Sequence, residues 1–279
     1  MFRVEEMKAE DFPFAVQLAN TMNWNMALED FEFTTKLEPH GCFALFHGSE
    51  RVGIATSVSF GKVGWFGNLI VKTEHRKKGA GTILVEHAIK YLKSTGVKTI
   101  GLHAYSHLIG FYENLGFNPD VDFSVLQGRV VSSITEGNLR EIDKQEIPAL
   151  IDFDCRCFGA CRKKLLEPIL VKTRNPCYVS VDNHEIAGYV TAKVYDEMAE
   201  VGPMMLNKDR ENTAVTLLET ILGRLRNLEA FACVSAEKTA LLETLFKAGL
   251  RENFRVTRMF LGPPIAENCT YMAESLERG

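Results

Sequence analysis

Residues 70–82 read Ile-Val-Lys-Thr-Glu-His-Arg-Lys-Lys-Gly-Ala-Gly-Thr: an apolar strand, a basic turn with two glycines, and the start of a helix. The helix is expected over Thr82–Lys93, where Ile83, Leu84, His87, Ala88, Tyr91 and Leu92 recur at helical spacing. Strand and helix are nearly contiguous, so the helix N-terminus opens at a strand end. Such an N-terminus presents unsatisfied backbone N–H groups and the positive end of the helix dipole. Gly79 and Gly81 carry no Cβ to keep an anion away, and Arg76, Lys77 and Lys78 add positive charge. The segment reads as a cradle for a diphosphate.

Two common phosphate motifs do not fit. The only Gly-Lys dipeptide, Gly61-Lys62, is followed by valine and lacks the upstream glycine of a P-loop. Leu84 stands where a dinucleotide fingerprint needs its third glycine. The pattern [Q/R]-x-x-G-x-[G/A] does fit, as Arg76-Lys77-Lys78-Gly79-Ala80-Gly81. One strand and one helix downstream, Phe111-Tyr112-Glu113-Asn114-Leu115-Gly116-Phe117 fits F-Y-x-x-x-G-F, with Gly116 read as a helix C-cap. Together the two segments resemble the acetyl-CoA signature of the GNAT N-acetyltransferases. The resemblance implies acetyl-CoA as co-substrate. It places the pantetheine arm beside Leu69, Ile70 and Val71, and the phosphates around Arg76, Lys77, Lys78, Gly79, Ala80, Gly81 and Thr82. Tyr112 becomes the donor to the departing thiolate, and Asn68 a residue that holds a water or the acceptor. Many members carry Asn seven residues before this tyrosine. Tyr105 stands there instead, which leaves a side-chain contact to the pantetheine open.

The first half reads as a strand over Phe2–Glu6, then a helix capped by Asp11 with Phe12, Ala15, Val16 and Ala19 inward, then a helix over Leu28–Leu37. Strands follow over Cys42–Phe46, Val52–Ser59 and Gly64–Val71. After the Thr82–Lys93 helix come a strand over Val97–His103, a helix over Ser106–Leu115 and a closing strand over Phe123–Val131. This mixed order matches a GNAT domain, but 279 residues are long for one such unit. The second half repeats the first weakly. Cys42-Phe43-Ala44-Leu45 aligns with Cys177-Tyr178-Val179-Ser180, and Gly67-Asn68-Leu69-Ile70-Val71 with Gly202-Pro203-Met204-Met205-Leu206. Two tandem GNAT-like folds of mixed α/β class are expected: residues 1–132 binding acetyl-CoA, and residues 133–279 a degenerate copy shaping the acceptor site, joined near Ser132–Asn138. In the second copy the phosphate loop falls in Asp209–Val215, which has two acids and no glycine. Leu245-Phe246-Lys247-Ala248-Gly249-Leu250 offers no phenol, so this copy is expected not to bind acetyl-CoA. The stretches Asn23–Asp30 and Asp154–Arg162 resemble segments of a GNAT subfamily with an intact first domain and a degenerate second one.

Hydrophobic content of 46% and charged content of 24% are those of a soluble globular protein. A net charge of −4 gives no global attraction to nucleic acid or membrane, so the basic run at 72–78 suits a small phosphorylated ligand. No apolar stretch approaches membrane-spanning length, and Met1–Glu6 reads as a strand rather than a signal peptide. Seven cysteines, an odd number, suggest reduced thiols and a cytoplasmic chain. Cys155, Cys157 and Cys161 cluster without C-x-x-C spacing or a fourth ligand, so no metal is expected.

On the acceptor side, Trp24 either lines the pocket or packs between helices. Asp154 either meets the amine's charge from the second copy or caps a helix. Phe158 and Arg162 face the site from the same segment, with Arg162 reading a carboxylate or pairing with Glu167. Glu74 reads as a base or as a solvated partner of the nearby lysines, and His103 and His107 as bases or as structural histidines, while deprotonation through water needs no dedicated base. The expected reaction is direct acetyl transfer to a primary amine of a small molecule in a ternary complex. A non-catalytic acyl-CoA sensor and a protein or peptide N-acetyltransferase are the alternatives.

Overall fold

The computed structural model describes residues 1–131, 139–207, 210–265 and 269–279. The expected linker 132–138 and Asp209 lie outside the described residues. The first half runs β1 (Phe2–Glu6), α1 (Phe12–Asn20), α2 (Leu28–Leu37), β2 (Cys42–His47), β3 (Glu50–Ser59), β4 (Val63–Val71), α3 (Ala80–Ser94), β5 (Thr99–Tyr105), α4 (Ile109–Glu113) and β6 (Asn118–Arg129). The second runs β7 (Arg140–Glu141), α5 (Ile147–Phe158), α6 (Lys163–Leu170), β8 (Cys177–Asp182), β9 (Glu185–Val194), β10 (Met198–Asn207), α7 (Glu211–Arg224), β11 (Glu229–Ser235), α8 (Thr239–Lys247), β12 (Arg251–Leu261) and β13 (Cys269–Met272).

The local patterns act as expected with small shifts. β3 is buried without a break from Val52 to Val58, as a strand covered on both faces must be. α3 turns Ala80, Leu84, Val85, Ala88 and Leu92 onto the sheet. It starts two residues earlier than expected, because Gly79 at φ +81° completes the turn and serves as its N-cap residue. Asp11 is not a side-chain cap for α1. It is buried, accepts from the Lys8 N–H at 2.7 Å, and binds Arg51 Nε at 2.5 Å. The segment expected as one helix over Ser106–Leu115 is a 3-10 turn followed by the five-residue α4.

The two halves share one mixed sheet of thirteen strands, in the order β1-β2-β3-β4-β5-β12-β6-β11-β13-β10-β9-β8-β7. β6, read as the closing strand of the first copy, pairs Phe123–Arg129 with Ser235–Glu229 of β11 in the second. β12 of the second copy pairs Val256–Leu261 with Tyr105–Ile100 of β5 in the first. β6 and β12 therefore each cover a bare edge in the other copy, and they pair with each other between those edges. A core also spans both halves: Val58, Phe60 and Trp65 pack with Leu150, Phe158, Leu165 and Tyr189.

The cysteine reading needs one correction. Cys157 on α5 and Cys269 on β13 form a disulfide, with Cα atoms 5.7 Å apart, because the fold sets these distant segments side by side. Cys42, Cys155, Cys161, Cys177 and Cys233 are free thiols.

Candidate active site

β4 and β5 pair in parallel only from Val63–Trp65 to Thr99–Gly101 and then diverge. The divergence leaves a wedge beside Gly67–Val71. A bulge marks its head. Two residues of β4, Asn68 and Leu69, stand opposite Ala55 alone, between the Thr56–Gly67 and Ile54–Ile70 pairs. Asn68 takes φ +50°, a left-handed conformation that asparagine tolerates better than most residues. Its buried amide donates to Thr56 Oγ1 at 3.2 Å. Ile70 and Val71 are buried and Leu69 half-buried, each side chain in the first half's cores.

At the far end of β4 the chain turns into α3. The backbone N–H groups of Lys77, Lys78, Gly79, Ala80, Gly81 and Thr82 have no acceptor among the described residues, and the first bond of the helix runs from Ile83 N to Gly79 O. A Cβ on Gly79 would meet open space, and one on Gly81 would come no closer than 3.5 Å to Phe111. The row of donors therefore faces room for a ligand. Arg76 is anchored by its Nε–H to the Val71 carbonyl at 2.8 Å, tying the loop to the wedge. Lys77 and Lys78 are exposed. The fit for a diphosphate is good on the chemistry of the donors alone.

Tyr112 on α4 is buried against Phe111 and Phe117, with ring centroids 5.0 and 5.8 Å away. Its hydroxyl makes no protein hydrogen bond among the described residues, yet it is not among the oxygens sealed from solvent. Burial pushes the phenol well above its usual range, so near neutral pH it stays protonated and keeps a proton to donate.

Trp24, between α1 and α2, donates its indole N–H to Tyr105 Oη at 3.0 Å, bridging to the diverged end of β5. Tyr105 in turn lies near Phe254 and stacks on His107. Asn25 approaches Met198 Sδ at 3.9 Å, so this segment also touches β10. Trp24 is thus both packed and placed at the wedge side.

Two of the expected acceptor contacts lie elsewhere. Asp154 is fully buried inside α5, not at its N-terminus. Its carboxylate is taken by Arg162 Nε (3.1 Å), Arg162 Nη2 (2.7 Å) and Tyr189 Oη (2.6 Å), leaving nothing for an amine. Arg162 also donates to the Gly279 carbonyl at 2.8 Å and lies 4.0 Å from the centroid of the buried Phe158 ring. Phe158 is a core residue for the same reason. Glu167 is left to Lys163, 3.9 Å away. Among the described residues Glu74 forms no ion pair with a lysine. It lies near Glu50 and His75, and Lys72 binds Glu50 at 2.6 Å.

The sequence reading missed the segment Ala273–Gly279. It lies over the wedge, and a Cβ on Gly67 would overlap the Cα and Cβ of Glu277. The Leu276 carbonyl accepts from Trp65 Nε1 on β4 and His103 Nδ1 on β5, each at 3.1 Å, and so ties the strands that flank the divergence. His103 is therefore the Nδ1–H tautomer. Among the described residues its Nε2 is sealed without a partner, and burial, with Arg258 nearby, pushes its pKa down to about 4. In the second copy the equivalent wedge is closed by the chain itself. β10 and β11 pair in parallel from Met198–Val201 to Glu229–Ala232, and β13 then lies between them. The only signal for this segment was a glycine, Gly67, at a position needing close approach.

A mixed sheet whose central parallel pair splays beside a helix N-terminus defines an acyltransferase-type α/β fold. Residues 3–117 match the family model described as Acetyltransferase (GNAT) family, and residues 150–272 that described as Acetyltransferase (GNAT) domain. The chain belongs to the GNAT acetyltransferases and carries two GNAT domains in tandem. A candidate acetyltransferase of Bacillus subtilis (strain 168) is 28% identical over 83 residues, 30% of this chain and 56% of that protein, so the match spans just over half of the relative. Among solved structures, a candidate acetyltransferase from Pyrococcus horikoshii superposes with TM-score 0.81 at 20% identity, covering 100% of this chain and 96% of that one. A GCN5-related N-acetyltransferase from Sphaerobacter thermophilus gives TM-score 0.70 at 14% identity, over 95% of this chain and 97% of that one. A tandem GNAT protein from the clavulanic acid biosynthesis pathway gives 0.62 at 11%, over 95% and 100%. At these identities the likeness is one of fold. The family generally uses acetyl-CoA. Among the described residues no helix is long and apolar enough to cross a membrane.

Proposed function

We propose that the chain transfers an acetyl group from acetyl-CoA to a primary amine of a small molecule, by direct attack in a ternary complex at the first half's wedge. The observation that carries this reading is the row of free N–H groups from Lys77 to Thr82 at the end of a strand that has parted from its neighbour. The diphosphate sits on that row, and the pantetheine runs beside Leu69, Ile70 and Val71. Backbone N–H groups there polarise the thioester carbonyl, while Asn68 shapes the bulge and helps orient the acceptor or a water. The Tyr112 hydroxyl, kept protonated by burial, donates a hydrogen bond to the leaving thiolate. The second half holds the acceptor side and binds no acetyl-CoA, because β13 occupies its wedge. The Trp24 segment on one side and Ala273–Gly279 on the other favour a small acceptor over a protein chain.

The test is acceptor-dependent release of CoA thiol from acetyl-CoA, run on amino acids, polyamines, aminoglycosides and short peptides with wild type and Tyr112→Phe. The expected result is turnover with at least one small amine, slowed about a hundredfold by the substitution, with acetyl-CoA affinity unchanged. Binding of acetyl-CoA without turnover on any amine would replace this reading with that of an acyl-CoA sensor.

A further inference from the structure

The segment Ala273–Gly279 touches equivalent points of both copies. A Cβ on Gly202, at the bulge of β10, would overlap the Ala273 carbonyl oxygen, and one on Gly67, at the bulge of β4, would overlap Glu277. Four residue steps span at most about 14 Å, so a short chain links the two bulges with little slack. The strand that fills the second wedge thus continues onto the first and sets Glu277 over Gly67, one residue before Asn68.

Glu277 does not arrive alone. Arg278 Nη1 binds it at 2.6 Å, and Arg278 Nε binds Glu274 Oε2 at 3.0 Å. Lys193 of β9 binds Glu274 at 2.5 Å and pairs with Glu200 of β10. Among the described residues this connected network holds three carboxylates and two cations, an excess of one negative charge. Glu274 is buried between both cations and is matched by them. The surplus falls on Glu277, which is half-buried and shares Arg278, and on Glu200, whose side chain is 40% exposed.

We propose that Glu277 completes the acceptor site of the first half, receiving the ammonium of a cationic primary amine and taking its proton. The inference rests on the acetyl-transfer reading and adds to it the acceptor's charge and its base. One ammonium proton passes to a Glu277 carboxylate oxygen and on to solvent. The freed lone pair of nitrogen forms the C–N bond to the thioester carbonyl carbon, the C–S bond breaks, and the second N–H proton leaves with the sulfur as CoA thiol. Burial lifts the Glu277 carboxyl above its usual range against the pull of Arg278 and Lys193, and Glu274 and Glu200 add to the rise. That makes it a better proton acceptor near neutral pH. His103, with its pKa near 4, is the poorer base, and its Nδ1 is committed to Leu276.

Both tryptophans, Trp24 and Trp65, lie at this site, so intrinsic fluorescence reports on it. The full chain, loaded with CoA, is titrated with putrescine, spermidine, lysine and tobramycin, with propionamide and acetate as uncharged and anionic controls. Acetyl-CoA affinity is measured by calorimetry on the same samples. At least one cation is expected to shift the fluorescence saturably, and Glu277→Gln to weaken that affinity at least tenfold with acetyl-CoA affinity unchanged. With the best amine, Glu277→Gln is expected to lower kcat/KM about a hundredfold or more and to remove the acid limb of its pH profile, and Glu277→Asp to restore part of both. If Glu277→Gln fails to fold by circular dichroism, Glu200→Gln, which leaves the segment's anchors in place, is expected to weaken cation affinity severalfold. A saturable response to the controls alone, no response to any cation, or unchanged affinity and kcat/KM in the folded variant overturns the inference while leaving acetyl transfer standing. Failure of wild type to bind acetyl-CoA removes the acetyl-transfer reading itself, and the inference with it.

Discussion

His103 offers a test of how Ala273–Gly279 is held against the sheet. Its Nδ1–H donates to Leu276 in the neutral and in the protonated ring alike, so protonation costs no hydrogen bond. The cost comes from placing a charge at a sealed Nε2, between Trp65 and Phe123 and near Arg258. The unfolded chain takes up this proton near pH 6.5, whereas the folded protein takes it up near pH 4. Between those values the unfolded state binds more protons, so stability from this group is complete above pH 6.5, falls as pH drops to 4, and is flat below. At 1.36 kcal/mol per pH unit the loss is roughly 3 kcal/mol. Guanidinium unfolding of wild type and His103→Gln, followed by tryptophan fluorescence and circular dichroism at pH 7.5, 6.5, 5.5 and 4.5, isolates it. The carboxylates that also titrate here, Glu274 among them, are common to both proteins and cancel in the difference. The stability advantage of wild type over the variant is expected to shrink by roughly 2 kcal/mol between pH 6.5 and 4.5, the rest of the loss falling outside that window. A difference that does not change over that range would refute the sealed, uncharged imidazole.

Two further outcomes follow from the shared sheet and the disulfide. Residues 1–131 expressed alone keep the Lys77–Thr82 loop but lose β12, which leaves the β5 edge at Ile100–Tyr105 bare. Size-exclusion chromatography is expected to show aggregates, and a soluble monomer would mean the exchange is dispensable. Cys269→Ser opens a link across 112 residues of sequence. It is expected to cost up to about 4–5 kcal/mol in denaturant unfolding, and dithiothreitol is expected to destabilise wild type but not the variant.

The glycine turn and its row of backbone donors were legible in the sequence because they are local. Strand, glycine turn and helix N-terminus are consecutive between Ile70 and Thr82, and their donors follow from backbone geometry alone. The helix burial pattern of α3 and the Phe111–Phe117 motif are local in the same way. The weak repeat also pointed to two copies of one fold. The surroundings of the residues expected on the acceptor side were not legible. Asp154 and Phe158 sat in a segment with the right look, but whether a carboxylate meets a ligand or an arginine depends on what folds against it, here Arg162 and Tyr189. Nothing near Gly67 in sequence announces Glu277, which is more than 200 residues away. Nothing in β6 or β12 says which copy's edge each will cover, since both present the same backbone donors and acceptors to either. Local periodicity and backbone chemistry thus determined the elements and the glycine turn with its row of donors, whereas pairing between distant strands, and the segment laid over them, were decided only when the tertiary structure buried them together.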